Sequence, residues 1–350
     1  MNILRTAALL LLPLACCSVD AQPDVERPVP VANRIVLLVD EVKAIRNFPV
    51  VVAERLGYLR ADGMDVTIMN TRDDPTHAEM LMDGRVDAVM AYFHHNIVNH
   101  SEGRPSEAIV TLGLTPGAKV LVANQAREKY KTEADLKGSR ILAGGAGSSK
   151  TTVANALVLA GGHRLADYTR LPTYGEEKNL AALRDGSADL VVAPVPEGDY
   201  YEAQGAATVF ADLTTVAGTK THLGATFPSS TVFMATERVK SNPEIARHLA
   251  TAFVRTLRYI NTHSADEIAA LIPANVTGKD KAAYLRLLKQ ELPMFAGDGT
   301  MPADGADKEW RVLSEFNPKL RAVVLDKTYT NEFVVEALNK ADQGAMPSGK

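Results

Sequence analysis

The residues best suited to chemistry form a short cluster of glycine, serine, lysine and threonine at positions 144–151. An apolar run at 141–143 precedes this cluster, and an apolar helical pattern follows it from Val153. The order predicts a strand, a glycine loop and a helix. The first turn of such a helix presents free N–H groups and the positive end of the helix dipole, which suit a small anion or polar ligand. The residues expected to contact the ligand are Gly147, Ser148, Ser149, Lys150 and Thr151.

A nucleotide phosphate loop is the competing interpretation of the same cluster. That motif requires a glycine, four further residues and then Gly-Lys-Ser/Thr. Counted from Gly144, the position of the second glycine is occupied by Ser149, so the match is incomplete. The pattern therefore favours a small-molecule site without nucleotide chemistry.

The N-terminus predicts export from the cytoplasm. A positive first segment, a short apolar core at 7–15 and small residues before a cut after Ala21 are typical of a signal peptide at 1–21. Both cysteines, Cys16 and Cys17, lie inside this segment, so we expect neither a disulfide nor a thiolate in the mature chain. Lipid anchoring through Cys16 or Cys17 is a second interpretation, because their surroundings resemble a bacterial lipoprotein box.

The remaining length predicts two lobes, because a mature chain of about 330 residues exceeds what one core usually serves. The formal net charge is −4 and the sequence has no basic cluster, so we expect no nucleic-acid partner. No later segment is long and apolar enough to span a membrane. The predicted division is a signal peptide at 1–21, a flexible lead-in at 22–33, lobe 1 at 34–117 plus 236–342, lobe 2 at 118–235 and a disordered tail at 343–350.

An internal repeat supports the two-lobed division. The segment at 80–91, MLMDGRVDAVMA, aligns with ALRDGSADLVVA at 182–193. Each copy predicts a helix end, an Asp-Gly turn and a buried strand. A period of about 100 residues is too long for a solenoid. It predicts two α/β lobes of related architecture, each a mostly parallel sheet flanked by helices.

The repeat also predicts where a ligand binds, because ligands of parallel α/β sheets lie beyond the carboxyl ends of the strands. Apolar runs at 118–124 and 230–235 are the expected crossings between the lobes, and hence the hinge. Helices predicted after residue 242 are expected to pack back on the first lobe. The further candidate ligand residues are Asn47, Phe48, Tyr92, His94 and His95 in the first lobe and Tyr174, Pro194 and Val195 in the second.

Several of these residues also have a purely structural interpretation. Lys150 is typical of a solvated helix start, and Asn47 and Phe48 are typical of a helix entry. His94 and His95 lack the spacing and the acidic partners of a metal site, so we expect no metal. The serines of the glycine loop lie in no Gly-x-Ser-x-Gly elbow, and we expect no catalytic residue.

Four segments carry a resemblance to a known family. They occur in the order FPVVVAERLGYLRADGMDVTIMN, LMDGRVDAVMAY, ADLKGSRILAGGAGSS and LRDGSADLVVAP. In this order they resemble periplasmic solute-binding proteins of ABC importers, of the nitrate/sulfonate/taurine and thiamine-pyrimidine-precursor family. The resemblance covers about residues 34–260 and implies a two-lobed Venus-flytrap fold. It also implies that residues 147–149 touch an acid group of the ligand, with further contacts from residues 47–49 and from those after Ala91.

The resemblance implies a solute-binding component that captures a small, anionic organic solute and delivers it to an ABC permease in the inner membrane. A sulfonate, a carboxylate, a nitrate-like ion and a pyrimidine precursor all fit. We expect a periplasmic monomer without cofactors. Residues 92–95 are bulkier and more basic than is usual in the family, and Lys150 adds a cation. A secreted enzyme and a ligand sensor that use the same cleft are the alternatives; a fungal thiamine-pyrimidine synthase shares this fold, but it carries a cysteine-rich metal motif that this sequence lacks.

Overall fold

The computed structural model describes residues 33–40, 42, 44–71, 74–295 and 297–342. The predicted signal peptide, the lead-in up to residue 32 and the tail at 343–350 lie outside the described residues. Within the described ranges, no helix combines the length and the apolar character needed to cross a membrane.

Two five-stranded sheets form the frame of the molecule. Their strands are β1 (Arg34–Asp40), β2 (Asp65–Thr71), β3 (Ala88–Tyr92), β4 (Ser106–Thr111), β5 (Ala118–Ala123), β6 (Arg140–Leu142), β7 (Thr169–Leu171), β8 (Leu190–Pro194), β9 (Ala207–Leu213) and β10 (Ser230–Ala235). The strand order is β2-β1-β3-β10-β4 in the first sheet and β7-β6-β8-β5-β9 in the second. In each sheet the fourth strand, β10 or β5, is antiparallel to both neighbours, and the others run parallel. The two lobes therefore share one architecture.

The repeated segment occupies equivalent places in the two sheets, as β3 and β8. In the first lobe the Asp87 carboxylate accepts a hydrogen bond of 2.9 Å from the Val36 N–H of β1. In the second lobe the Asp189 carboxylate accepts one of 2.8 Å from the Arg140 N–H of β6. Each aspartate thus ties the start of its own strand to the neighbouring parallel strand, which gives the repeated Asp a structural reason.

Two chain crossings connect the lobes, and they run side by side. The Leu112 N–H donates to the Ser230 carbonyl at 2.7 Å, and the Phe227 N–H donates to the Leu114 carbonyl at 2.9 Å. The first crossing leads into β5 of the second sheet, and the second leads into β10 of the first sheet. The division made from the sequence assigned residues 230–235 to lobe 2, whereas their backbone pairs with β3 and β4 of the first sheet. An apolar run alone does not say which sheet it joins.

Helices cover both sheets, and their bounds are α1 (Phe48–Arg55), α2 (Asp74–Met82), α3 (His94–Ser101), α4 (Ser149–Ala160), α5 (Glu176–Asp185), α6 (Val195–Ala203), α7 (Val216–Leu223), α8 (Thr236–Ser241), α9 (Pro243–Thr262), α10 (Ala265–Leu271), α11 (Ala274–Thr277), α12 (Lys281–Glu291), α13 (Ala303–Phe316) and α14 (Glu332–Asp342). The longest, α9, begins at a proline, which suits a first helical turn. It buries an apolar stripe against α1, α14 and β4 of the first lobe.

Two late helices contact both lobes. Helix α13 packs against α3 of the first lobe and α4 of the second. Its Val312 belongs to the core of the second lobe, whereas its neighbour Leu313 belongs to a core of the first. Helix α12 contacts α10 and also α6 of the second lobe. The late helices therefore extend beyond the first lobe and bring side chains to the boundary between the lobes.

Candidate functional site

A cavity of about 530 Å³ lies between the two lobes, within the size range of small-molecule sites. It meets the carboxyl ends of parallel strands, since Asp40 ends β1, Tyr92 ends β3 and Pro194 ends β8. Helix α12 contributes a further part of the lining. The lining residues are Asp40, Ala44, Ile45, Arg46, Tyr92, His94, His95, Pro116, Gly117, Ala118, Ser149, Lys150, Val153, Glu176, Val192, Pro194, Val195, Pro196, Glu197, Leu287 and Glu291.

The wall from the first lobe centres on an arginine held in place by its own lobe. Arg46 forms an ion pair with Asp40 at 3.1 Å, and its guanidinium carbon lies 5.5 Å from the centroid of the Tyr92 ring. The Tyr92 hydroxyl donates to the Pro116 carbonyl at 3.4 Å. Burial raises the pKa of Tyr92, so this phenol is a neutral hydrogen-bonding group at neutral pH. This wall offers a planar cation and a ring rather than an unpaired positive charge.

Imidazoles and a buried carboxyl lie beside Tyr92. His94 is 5% exposed, its ring centroid is 4.2 Å from that of His95, and its Nδ1 is 3.7 Å from Oε1 of Glu309. Burial, and to a lesser extent His95, lowers the pKa of His94 well below its usual value, and burial raises the pKa of Glu309 well above its own. Both groups are therefore neutral at neutral pH. In the described part of the chain, no group of three or more His, Cys, Asp or Glu residues is arranged to hold a metal ion.

The wall from the second lobe is the start of α4. Ser148 caps this helix, because its hydroxyl oxygen accepts a hydrogen bond from the Thr151 N–H at 3.2 Å. The Thr151 hydroxyl donates to the Gly145 carbonyl at 2.7 Å and to the Ala143 carbonyl at 3.0 Å, which holds the loop closed. Gly147 adopts a φ of 81°, a conformation that favours glycine. These bonds present the first helical residues, Ser149 among them, to the cavity.

Lys150 also lines the cavity, but a carboxylate of the same lobe neutralises it. Its ammonium lies 2.9 Å from the Glu197 carboxylate. The other oxygen of Glu197 accepts hydrogen bonds from the Tyr201 hydroxyl at 2.6 Å and from the Asn179 amide at 3.3 Å. Glu197 is therefore positioned by three groups, and the pair joins the start of α4 to the start of α6. Because Glu197 neutralises Lys150, the positive potential on this wall comes mainly from the N-terminus of α4.

The remaining part of the lining comes from α12. Leu287 and Glu291 lie one turn apart on this helix, and both line the cavity. Glu291 is 1% exposed, and neither of its carboxyl oxygens has a hydrogen-bond partner. Burial, together with the charges of Asp212 and Asp199, raises the pKa of this carboxyl to about 8 against the opposing charge of Lys119. The group is thus largely protonated at neutral pH.

A family model described as NMT1/THI5 like matches residues 45–266, more than half of the chain. The chain belongs to this family. The matched segment includes lining residues from both walls of the cavity, and it ends before α12. The resemblance inferred from the sequence is therefore confirmed. No curated protein matched the sequence.

Solved structures share the NMT1/THI5-like architecture over most of the chain. A protein of Bordetella bronchiseptica RB50 is 27% identical, with a TM-score of 0.72, covering 89% of this chain and 98% of that one. The periplasmic aliphatic sulphonate binding protein SsuA of Escherichia coli is 17% identical, with a TM-score of 0.60 and coverages of 91% and 94%. The periplasmic nitrate-binding protein NrtA of Synechocystis PCC 6803 is 12% identical, with a TM-score of 0.58 and 91% of each chain covered. The fold is thus the two-lobed periplasmic-binding-protein fold that the sequence predicted.

The structure brings part of the predicted set of site residues together in the cavity. Those that line it are Tyr92, His94, His95, Ser149, Lys150, Pro194 and Val195. The others lie outside the lining, and they are Asn47, Phe48, Gly147, Ser148, Thr151 and Tyr174. Gly147, Ser148 and Thr151 shape the loop that presents Ser149 and Lys150, as described above.

Asn47 and Phe48 are held in the interior. The Asn47 amide donates to the Asp40 carbonyl, and its oxygen accepts from the Ser230 hydroxyl at 3.2 Å, so this side chain fastens the loop after β1 to β10. Phe48 packs in the core, with its ring centroid 6.1 Å from that of Phe295. Tyr174 is 62% exposed.

Sequence reasoning missed Arg46, Asp40 and Glu291 as lining residues. Arg46 and Asp40 lie in the loop that was expected at the cleft, but only the fold shows which of its side chains turn inward. The sequence pattern could have identified Glu291, because Tyr284, Leu288 and Glu291 follow one another at helical spacing on a buried face. An acid on such a face is uncommon in a structural helix.

Proposed function

We propose that this chain is the exported solute-binding component of an ABC importer, and that it captures a small organic solute bearing an acidic group between its lobes. The observation that carries the proposal is the cavity of about 530 Å³ whose lining comes from both lobes and from the crossing between them. A ligand in such a cavity contacts both lobes at once, so its affinity depends on their closure. Membership of the NMT1/THI5-like family and the names of the sulphonate- and nitrate-binding neighbours support this reading.

The start of α4 is the proposed position of the acidic group. Ser149 and Lys150 line the cavity there, and the free N–H groups of the first turn add the positive end of the helix dipole. Lys150 is already paired with Glu197, so it contributes as part of a polar pair rather than as a free cation. Arg46 and Tyr92 face this wall from the first lobe and provide a flat surface with hydrogen-bonding edges.

In this proposal, the protein acts in the periplasm as a monomer and passes its solute to a membrane permease. Solute capture favours the closed arrangement of the lobes, and the permease recognises that arrangement. The paired crossings at residues 112–114 and 227–230 are the proposed hinge, because they are the segments that join the two sheets. No catalytic step is required, and the solute is released unaltered.

The test is to express the full chain with its export segment and to identify the solute that co-purifies by native mass spectrometry. Thermal-shift screening against sulfonates, carboxylates, nitrate and pyrimidines then measures stabilisation, since a ligand that binds only the folded state raises the melting temperature. We expect at least one class to stabilise the protein and to be recovered unchanged. Absence of both a co-purified solute and any stabilisation would contradict the proposal, and chemical conversion of the ligand would favour an enzyme.

A further inference from the structure

Helix α12 places a carboxyl group in the cavity where the protein offers it no partner. Glu291 is 1% exposed, and both of its oxygens lack hydrogen bonds. Withdrawing a carboxyl from water without compensation costs free energy, and the cost is larger when the group is charged. Buried polar groups are almost always satisfied, so an exception that lines a cavity points to a partner supplied by a ligand.

The charges near Glu291 are predominantly acidic. The Lys119 ammonium is the nearby cation, and it is already bound at 2.6 Å by Asp199 and at 3.1 Å by Glu202. Asp212 adds a further carboxylate, and the effect of Asp212 and Asp199 on Glu291 outweighs that of Lys119. The potential around Glu291 is therefore negative, and it favours an incoming positive group.

The cations that line the rest of the cavity are not available to compensate Glu291. Arg46 is paired with Asp40 at 3.1 Å, and Lys150 is paired with Glu197 at 2.9 Å. Each pair lies within one lobe and is complete before a ligand enters. Glu291 is therefore left without a polar partner from the protein, and a positive group of a ligand would stabilise its ionised form.

We propose that Glu291 binds a protonated nitrogen of the solute, such as an ammonium, an amidinium or a protonated heteroaromatic amine. The inference rests on the proposed function and adds a second recognition element to it. The solute then carries an acidic group at the start of α4 and a basic nitrogen at the end of α12. Because Glu291 lies beyond residue 266, where the family match ends, this contact belongs to the C-terminal helices of this chain.

Binding of such a nitrogen has a consequence for protons. The carboxyl of free Glu291 has a pKa of about 8, and a bound cation stabilises its ionised form, so binding releases a proton to solvent. The affinity for a permanently protonated amine therefore rises with pH, by about tenfold per unit, until about pH 8. The charged and titratable groups that face Glu291 are Lys119, Asp199, Asp212 and the phenol of Tyr92.

The experiment uses matched pairs of probes that differ in one nitrogen: 5-aminopentanoate against pentanoate, and 4-(aminomethyl)benzoate against 4-methylbenzoate. Titration calorimetry in the full-length exported protein measures affinity at about pH 6 and pH 8 and in buffers of different ionisation enthalpy. We expect the nitrogen-bearing member of at least one pair to bind about tenfold more tightly, with proton release. Equal affinity within both pairs, proton uptake, or no binding by either nitrogen-bearing probe overturns the proposal.

Variants separate the role of Glu291 from general effects on folding. In Glu291→Gln the preference for the nitrogen and its pH dependence are expected to disappear, while the melting temperature is retained or increased. The matched control is Glu309→Gln, because Glu309 is also a buried carboxyl without a hydrogen-bond partner but lies outside the cavity lining. Binding of pentanoate or 4-methylbenzoate alone would leave the proposed function intact and remove only this inference, whereas failure of the broad solute screen would remove both.

Discussion

The two lobes have the same strand order, yet they present different chemistry to the cavity. The first lobe presents a stacked arginine and aromatic rings that follow β1 and β3, whereas the second presents the capped start of α4. In both lobes a carboxylate neutralises the cation, through Asp40 in one and Glu197 in the other. The repeated sheets therefore determine the positions of the two walls. The loops that differ between the two copies determine what each wall can bind.

The contrast also isolates the part of the cavity that the repeat does not explain. Glu291 comes from α12, which has no counterpart in the second lobe's sheet unit, and it is a buried carboxyl of the cavity lining without a hydrogen-bond partner. In the proposals above, the start of α4 binds the acidic group of the solute and the C-terminal helices bind its basic nitrogen. Four predictions test what helix α12 and the elements of the two lobes contribute to stability and binding.

The largest expected effect concerns Glu291 and stability. The native state retains a proton that the unfolded chain releases above the ordinary pKa of 4.5, so this contribution to stability is fully present below 4.5 and is lost as pH rises through about 8. Because glutamine does not titrate, Glu291→Gln removes this loss of stability with rising pH. We expect the free energy of unfolding of the variant, relative to the parent, to increase between those pH values by up to roughly 5 kcal/mol, measured by urea denaturation. Exposed Glu176→Gln is the control, and a flat difference for Glu291→Gln would mean that its carboxyl is solvated or paired.

The repeated aspartates give the next largest effect. Asp189 binds the Arg140 N–H and also the Arg140 guanidinium through both oxygens. Asp87 binds the Val36 N–H and the more exposed Arg238. We expect Asp189→Ala to cost about 3 kcal/mol and Asp87→Ala about 2 kcal/mol, because each leaves a strand N–H unsatisfied but the bidentate arginine pair is lost only in the second lobe. Denaturant midpoints measure both, and the reverse order would show that the two sites are not equivalent in the way the repeat suggests.

A smaller effect is expected for ligand binding at the second wall. Lys150→Met removes a cation of the cavity and leaves Glu197 without its ion-pair partner. We expect the affinity for a solute with an acidic group to fall by about 1–2 kcal/mol, because the ligand then meets an uncompensated carboxylate. Titration calorimetry measures this, with exposed Lys178→Met as the control. Unchanged affinity would place the acidic group of the solute elsewhere.

The smallest predicted effect is that of the helix cap. Ser148 accepts the Thr151 N–H at 3.2 Å, whereas its neighbour Ser149 is the first residue of α4. Ser148→Ala should lower the free energy of unfolding by about 1 kcal/mol, and Ser149→Ala by less than half of that. Thermal denaturation compares the two variants. Equal losses would show that the cap contributes no more than an ordinary surface serine.

Much of the fold could be predicted from the sequence, because local sequence patterns indicate many of its strands and helices. The apolar run of β1 and the amphipathic stripe of α9 predict their elements closely, and the Asp-Gly repeat predicts two related lobes. The end of α1 could not be predicted from the apolar pattern. A short 3-10 helix continues that pattern, and Gly57 in a left-handed conformation separates it from α1.

The candidate site was predictable only in its outline. Strand ends and the glycine loop indicated which segments approach the cleft, but not which side chains turn into it. The partnership of Lys150 with Glu197 joins residues far apart in sequence, so the lysine looked like a free cation until the fold was known. Asn47 was predicted to meet a ligand, and in the structure its amide is used to fasten β10. Such pairings depend on tertiary packing, which no local pattern encodes.

The side-by-side crossings have a consequence for how this chain can be cut and rejoined. All strands of the second sheet lie between the two crossings, so the second lobe is a continuous insertion within a first lobe that is assembled from both ends of the chain. The ends of the insertion meet, since the Ser229 N–H donates to the Gly113 carbonyl at 3.0 Å. Closely spaced ends are the condition under which domain insertion and circular permutation are tolerated. Replacing the second lobe by one short junction would thus keep the strands of the first sheet in place, and it would expose Val312 of α13, which packs in the core of the second lobe.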